Sequence, residues 1–116
     1  MVSKKSVGIK NDKDKLRIDL ITPEMITALA KVLKNWSSEY RERNFEKGID
    51  FSREWAAAQR HLWAWWNGEN IDESGFKHLW HALSAIAILV TLDERPNMKK
   101  FDNRPIKIKS LYLDKK

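Results

Sequence analysis

Apolar residues recur at intervals of three and four in three separate stretches of the chain, the period of a helix with one buried face. In the first, Met25, Ile26, Leu29, Val32, Leu33 and Trp36 form a single stripe. Thr22-Pro23-Glu24 opens it well: Thr caps free N–H groups, Pro is tolerated at the first helical position, and Glu suits the positive helix end. The stripe fades near Ser37 and Ser38, and the polar run from Glu39 to Lys47 reads either as a further helical turn or as an exposed loop closed by Gly48. Ser52 is the next predicted cap; Trp55, Ala58, Leu62, Trp65 and Trp66 trace a second helix that Asn67-Gly68 ends. Ser74-Gly75 breaks the chain before a third helix, from about Phe76 to Leu92, which is apolar on nearly every side and so belongs at the centre of a bundle. Pro96 stops it.

The ends lack this periodicity. Residues 1–17 predict an extended arm, and Ile106-Lys107-Ile108-Lys109 alternates like a short strand that Pro105 confines to an edge or to an arm over a neighbouring subunit. The predicted fold is therefore all-α: a single domain over 1–116, with a basic arm (1–20), a helical core of three main helices (21–94) and a basic extension (95–116). Three helices do not easily cover one that is apolar all round, so the bundle is expected to be completed by homo-oligomerisation, as a dimer or higher.

Composition narrows the function classes. In 116 residues there is no cysteine, which excludes disulfides, thiolate metal sites and thiol nucleophiles. The longest apolar run, Ala85 to Val90, falls far short of a membrane span, and no apolar segment follows the lysine-rich start to make a signal peptide, so a soluble, cytoplasmic protein is expected. The net charge of +6 comes from 22 Lys and Arg against 16 Asp and Glu. It resides in the tails: residues 1–17 and 95–116 are basic, while 18–94 are net acidic. That distribution argues against a nucleic acid as the main partner and suits a site where carboxylates hold a cation and flanking bases hold phosphate.

Three groups of residues carry candidate chemistry. His61, His78 and His81 fall close to Glu69, Asp72 and Glu73, and His78 and His81, three apart, share a helix face where each can bind a metal or act as a base; the plainer reading makes them core-edge histidines. Glu39-x-x-Glu42 and Glu69-x-x-Asp72 are carboxylate pairs of the kind that hold Mg²⁺ across packed helices; alternatively Glu39 and Glu42 are a solvated face beside Arg41 and Arg43, and Ser74-Gly75 sets the second pair at a helix entry. Arg43, Asn44, Lys47 and Arg60 offer donors to phosphate, base or sugar. Most tryptophans follow the core stripe, whereas Trp63 falls off it and is free to stack on a base. No Gly-rich phosphate loop, nucleophile elbow or His-Glu-x-x-His sequence is present.

Several segments together resemble a known family. They are Lys15-Leu-Arg-Ile-Asp-Leu-Ile-Thr-Pro-Glu24, Tyr40, Arg43-Asn-Phe-Glu-Lys-Gly48, Arg60-His61, Gly68-Glu69, Asp72-Glu-Ser-Gly75 and His78-Leu-Trp-His-Ala82. Over roughly residues 10–92 they resemble the N-terminal domain of phage dATP/dGTP diphosphohydrolases, relatives of the all-α MazG-like nucleoside triphosphate pyrophosphohydrolases. The resemblance implies an oligomeric enzyme, in the cytoplasm of an infected bacterium, that uses Mg²⁺ or Mn²⁺ to cleave a purine deoxynucleoside triphosphate to monophosphate and pyrophosphate. Catalysis would fall to Glu46, Glu69, Asp72 and His78. Cation binding would fall to Glu42, Glu46, Glu69, Asp72 and His81, and substrate binding to Arg43, Asn44, Lys47, Arg60 and His61. The alternative is a non-catalytic nucleotide-binding protein, such as a phage sponge that sequesters a nucleotide signal of host defence; binding of nucleic acid through the tails is a third reading.

Overall fold

The computed structural model describes residues 7–105. The tail segment Ile106 to Lys109, expected to be a strand or arm, lies outside the described residues. Three helices carry the fold: α1 (Pro23–Glu39), α2 (Phe51–Trp66) and α3 (His78–Glu94). Short 3-10 turns at Ile18–Leu20, Asn44–Lys47 and Pro96–Phe101 connect or flank them. Among the described residues there is no strand, only an isolated antiparallel bridge between Ile71 and Lys77.

α1 begins where the sequence predicts. Thr22 Oγ1 accepts from the Met25 N–H at 3.2 Å and Pro23 occupies the first turn. Ala28 and Val32 are its buried residues, whereas Met25, Ile26 and Leu33 of the same stripe stay exposed. The physical reason is that α1 packs against α3, and one neighbouring helix covers only part of so wide a stripe.

α2 starts one residue before the predicted cap. Asp50 holds the cap position without a side-chain hydrogen bond, and Ser52 lies inside the first turn. The free N–H of Ser52 is satisfied from far along the chain: Asn103 Oδ1 accepts it at 2.9 Å, and Asn103 Nδ2 donates to Ser52 Oγ at 2.8 Å. A side chain 51 residues away thus does the work that the sequence assigns to a local cap.

α3 is central, packing against both α1 and α2. Its buried positions are His78, His81, Ala82, Ser84, Ala85, Ile88 and Leu92; the small Ala82, Ser84 and Ala85 let helices approach closely. The Ser84 hydroxyl is satisfied by donation to the Trp80 carbonyl at 2.9 Å. Phe51 of α2 meets Ile88 and Leu92 of α3 in one core cluster, while His61 of α2 meets His78 of α3, so the two helices run antiparallel. Met98 closes the cluster from the last 3-10 turn, with Trp36, Phe45, Ile49, Leu89 and Phe101 packed around it. Leu92 is fully buried, a site where about 1.5–3 kcal/mol of burial is gained. Gly48, at φ +107°, leaves room for the ring of Phe101, which a Cβ there would penetrate.

The hydrophobic cluster thus fills one end of the α2–α3 hairpin. The other end, joined by residues 67–77, is polar.

Candidate functional site

Two polar features adjoin each other on this frame. The first is a cavity of about 830 Å³ between the C-terminal half of α1, the 41–49 connection and the first half of α2. Its size falls within the range of small-molecule sites. Arg53, Glu54, Ala57 and Arg60 line it from one face of α2, and Leu33, Trp36, Ser37 and Tyr40 from α1. Lys34, Arg41, Arg43, Arg53 and Arg60 set five basic side chains on its wall against two carboxylates, Glu42 and Glu54. Burial pushes the Glu54 carboxyl up from its usual range, an effect that neighbouring Arg53 only partly offsets. Arg43, at the rim, holds a left-handed backbone (φ 58°, ψ 27°) that starts the Asn44–Lys47 turn, a conformation few non-glycine residues adopt.

The second feature is the histidine cluster at the hairpin's polar end. Residues 67–77 form a tight turn in which the Asp72 N–H donates to the Phe76 carbonyl and the Gly75 N–H to the Asp72 carbonyl, both at 2.9 Å. Gly75 takes φ +88°, which closes the turn. Asp72 Oδ1 accepts from the Ser74 N–H at 2.8 Å and from the Ser74 hydroxyl, and Asp72 Oδ2 lies 3.3 Å from His81 Nε2. His81 is 6% exposed and stacked against His61, with centroids 4.6 Å apart; Trp36 and Phe76 stack on it at 6.3 and 6.0 Å. His61 Nδ1 and His78 Nδ1 are 2.9 Å apart, and Glu69 Oε2 lies 2.8 Å from His78 Nε2.

Burial disfavours charge on Asp72, yet the two hydrogen bonds from Ser74, aided by His81 and His61, outweigh it and hold the carboxyl below its usual range. Burial, followed by the neighbouring His81 and His78, pushes His61 down. Among the described residues, His61, Asp72 and His81 are the group of three whose ligand atoms lie within 4.8 Å of one another.

The residues singled out in the sequence divide between these features. Arg43, Asn44, Arg60 and Glu42 line the cavity. Glu69, Asp72, His61, His78 and His81 form the cluster. Glu39 and Glu73 are exposed, and Lys47 is exposed at the end of its turn. Glu46 joins neither group: it is held by Arg95 at 2.9 Å and Arg43 at 3.2 Å, the contact with Arg95 leading in pulling its carboxyl below the usual range. Of the two carboxylate pairs, Glu42 lines the cavity, whereas Glu69 and Asp72 belong to the turn beside the histidines. Trp63 lines a separate shallow depression with Leu62, Trp65 and Trp66. Trp36, Arg53 and Glu54 also line the cavity and are not among the site residues singled out in the sequence. Their signal is the spacing of Arg53, Ala57 and Arg60, a second face of α2 beside its apolar stripe.

A three-helix, all-α domain with a basic cavity of about 830 Å³ defines the class. The chain matches the family model described as dATP/dGTP diphosphohydrolase, N-terminal, over residues 5–104, and it belongs to that family. Comparisons with curated proteins and with solved structures give no significant match. The family name implies a diphosphohydrolase-type enzyme. Among the described residues, no helix is long and apolar enough to cross a membrane.

Proposed function

We propose that this protein cleaves purine deoxynucleoside triphosphates, of the dATP or dGTP type, to monophosphate and pyrophosphate with the help of a divalent cation. The cavity is the nucleotide site in this reading. The observation that carries it is the lining itself: four arginines and a lysine facing a space of about 830 Å³ beside two carboxylates. Arginine forks match phosphate oxygens, and a surplus of positive charge draws in a polyanion. Trp36, Tyr40 and Phe45 offer ring faces to the purine, and Asn44 offers an amide to its edge.

The donor chemistry of the cavity fits Mg²⁺ or Mn²⁺. Magnesium is commonly held by one or two carboxylates completed by substrate phosphates and water, and Glu42 and Glu54 supply such oxygens. Bound there, the cation would neutralise phosphate charge and activate water. The chain's own share is to bind and orient. The arginines would hold the phosphates in line, and Glu54, whose burial disfavours a lone negative charge, would be favoured as a carboxylate beside a bound cation. A water oxygen would bond to the α-phosphorus as the bond from that phosphorus to the bridging oxygen breaks; pyrophosphate leaves with the bridging oxygen, monophosphate keeps the water oxygen, and the proton passes to solvent.

The outer face of α3 supports a further part of the proposal. Leu79, Leu83, Ile86 and Val90 recur at intervals of four, three and four and stay exposed, the spacing of a helix–helix seam. A second copy of the chain covers this seam in the reading adopted here.

The test is to incubate purified protein with dATP, dGTP and the other triphosphates, in Mg²⁺, Mn²⁺ or EDTA, and to separate the products by chromatography. Monophosphate and pyrophosphate in equal amounts, formed only with metal, are expected. A nucleotide depleted from solution but recovered intact after denaturation would overturn the enzymatic reading in favour of sequestration.

A further inference from the structure

We infer that His61, Asp72 and His81 form a transition-metal site of zinc-like preference, separate from the nucleotide cavity and built to tie α2, the 67–77 turn and α3 together. The inference does not rest on the reading of the cavity. None of the three residues lines it, and Trp36, which does, stacks on His81 between the two features.

Four observations support the site. Three elements each bring one donor, with ligand atoms within 4.8 Å of one another. The 3.3 Å between Asp72 Oδ2 and His81 Nε2 is close to the edge of a tetrahedron whose arms are about 2.0–2.1 Å, the usual zinc bond to nitrogen or oxygen. Asp72 is fixed by the Ser74 N–H and hydroxyl on one oxygen, which leaves the other turned to His81. His61 is held through its far nitrogen by a chain from His78 to Glu69, the outer support that metal-ligating histidines usually have.

The donor set selects the metal. Two imidazoles and one carboxylate suit zinc, cobalt or nickel, whereas Mg²⁺ takes oxygen ligands and is served by the cavity. Three protein ligands leave a fourth position for water. Within the turn Ile71 is exposed and Phe76 is half-buried against His81, and a metal would fix the turn to both helices.

The chain's composition makes the test clean. Its only three histidines are all in this cluster and it has no cysteine, so no other place offers nitrogen or sulfur side chains of this kind. Tag-free protein is dialysed against EDTA, then titrated with Co²⁺ while the visible absorption of four-coordinate cobalt is followed. One Co²⁺ per chain is expected, displaced by Zn²⁺ and retained against about a thousandfold excess of Mg²⁺. Zinc at about 100 times its dissociation constant should raise Tm by about 10 °C.

Because His81 is buried and its replacement threatens folding, the first variant is His61→Ala, at a half-buried ring. Helicity by circular dichroism should persist while Co²⁺ affinity falls at least about 100-fold, and Glu69→Gln should lower it by about 10-fold. Absence of cobalt absorption in the wild type, equal competition by Mg²⁺, or unchanged cobalt binding in a folded His61→Ala protein would overturn the site. Nucleotide hydrolysis is not part of the readout, so the two proposals fail separately.

Discussion

The Nδ1 atoms of His61 and His78 lie 2.9 Å apart, so one of two neutral rings must donate and the other accept. Glu69 settles which for neutral rings: its carboxylate, 2.8 Å from His78 Nε2, accepts the hydrogen bond from Nε2–H, leaving His78 Nδ1 as acceptor. His61 is then protonated on Nδ1 and carries its lone pair on Nε2. In metal-free protein at pH 8, nitrogen-15 correlation spectra should show His61 as the Nδ1–H tautomer, with Glu69→Gln shifting the population towards Nε2–H. A His61 found mainly as Nε2–H in the wild type would break this chain of assignments.

Glu54 sits in the cavity at a cost to the fold. Its folded-state pKa is raised by burial, so the protonated form is favoured, and stability present below the unfolded value is lost as pH rises through the raised one. Glu54→Gln should therefore melt higher than the wild type at pH 8 while losing at least about 100-fold in kcat/KM for dGTP. Melting curves and steady-state kinetics on the same preparation check both. A variant of unchanged activity would remove Glu54 from the site.

Glu46 links the 3-10 turn at 44–47 to the end of α3 through Arg95 and also meets Arg43. Its pKa is lowered on folding, so its contribution is complete above the unfolded carboxylate range and disappears as pH falls through the depressed value. The difference in urea midpoint between wild type and Glu46→Gln should be constant well above the usual carboxylate range and shrink as the pH falls through and below that range. A difference that grows on acidification would contradict the assignment.

The α3 seam offers a test of assembly. Leu83 is exposed in the single chain, so Leu83→Glu should leave helicity intact while shifting the protein from dimer or larger to monomer in sedimentation. Wild-type protein that sediments as a monomer at tens of micromolar would remove the second copy.

How much of this was legible in the sequence varies with the range of the interaction. α1 and the end of α2 were readable because their signals are local: Thr22 and Pro23 at one helix start, Asn67 and Gly68 at the other helix's end. The start of α2 was not, because its exposed N–H finds Asn103, a partner that no local pattern announces. The histidine cluster was half visible. His78 and His81 share a helix face, but His61 joins them only once α2 folds back antiparallel. Glu46 shows the same limit of range: the resemblance assigns it to a cation, and its ion pair with Arg95, 49 positions on, has no local signal in the sequence. The cavity was partly visible: Arg43, Asn44 and Arg60 stand out as donors in the sequence, whereas Arg53 and Glu54 join them only once α1 and the 41–49 connection come together around α2.

The central claim is that a nucleoside triphosphate occupies the cavity beside α1 and α2, and hydrogen exchange tests it most directly. Amide exchange is compared with and without a non-hydrolysable dGTP analogue and Mg²⁺. The account predicts new protection in residues 33–60, centred on the 41–49 connection and the first half of α2, and none confined to the 67–77 turn. Protection restricted to the turn and the start of α3 would place the nucleotide at the histidine cluster and contradict it.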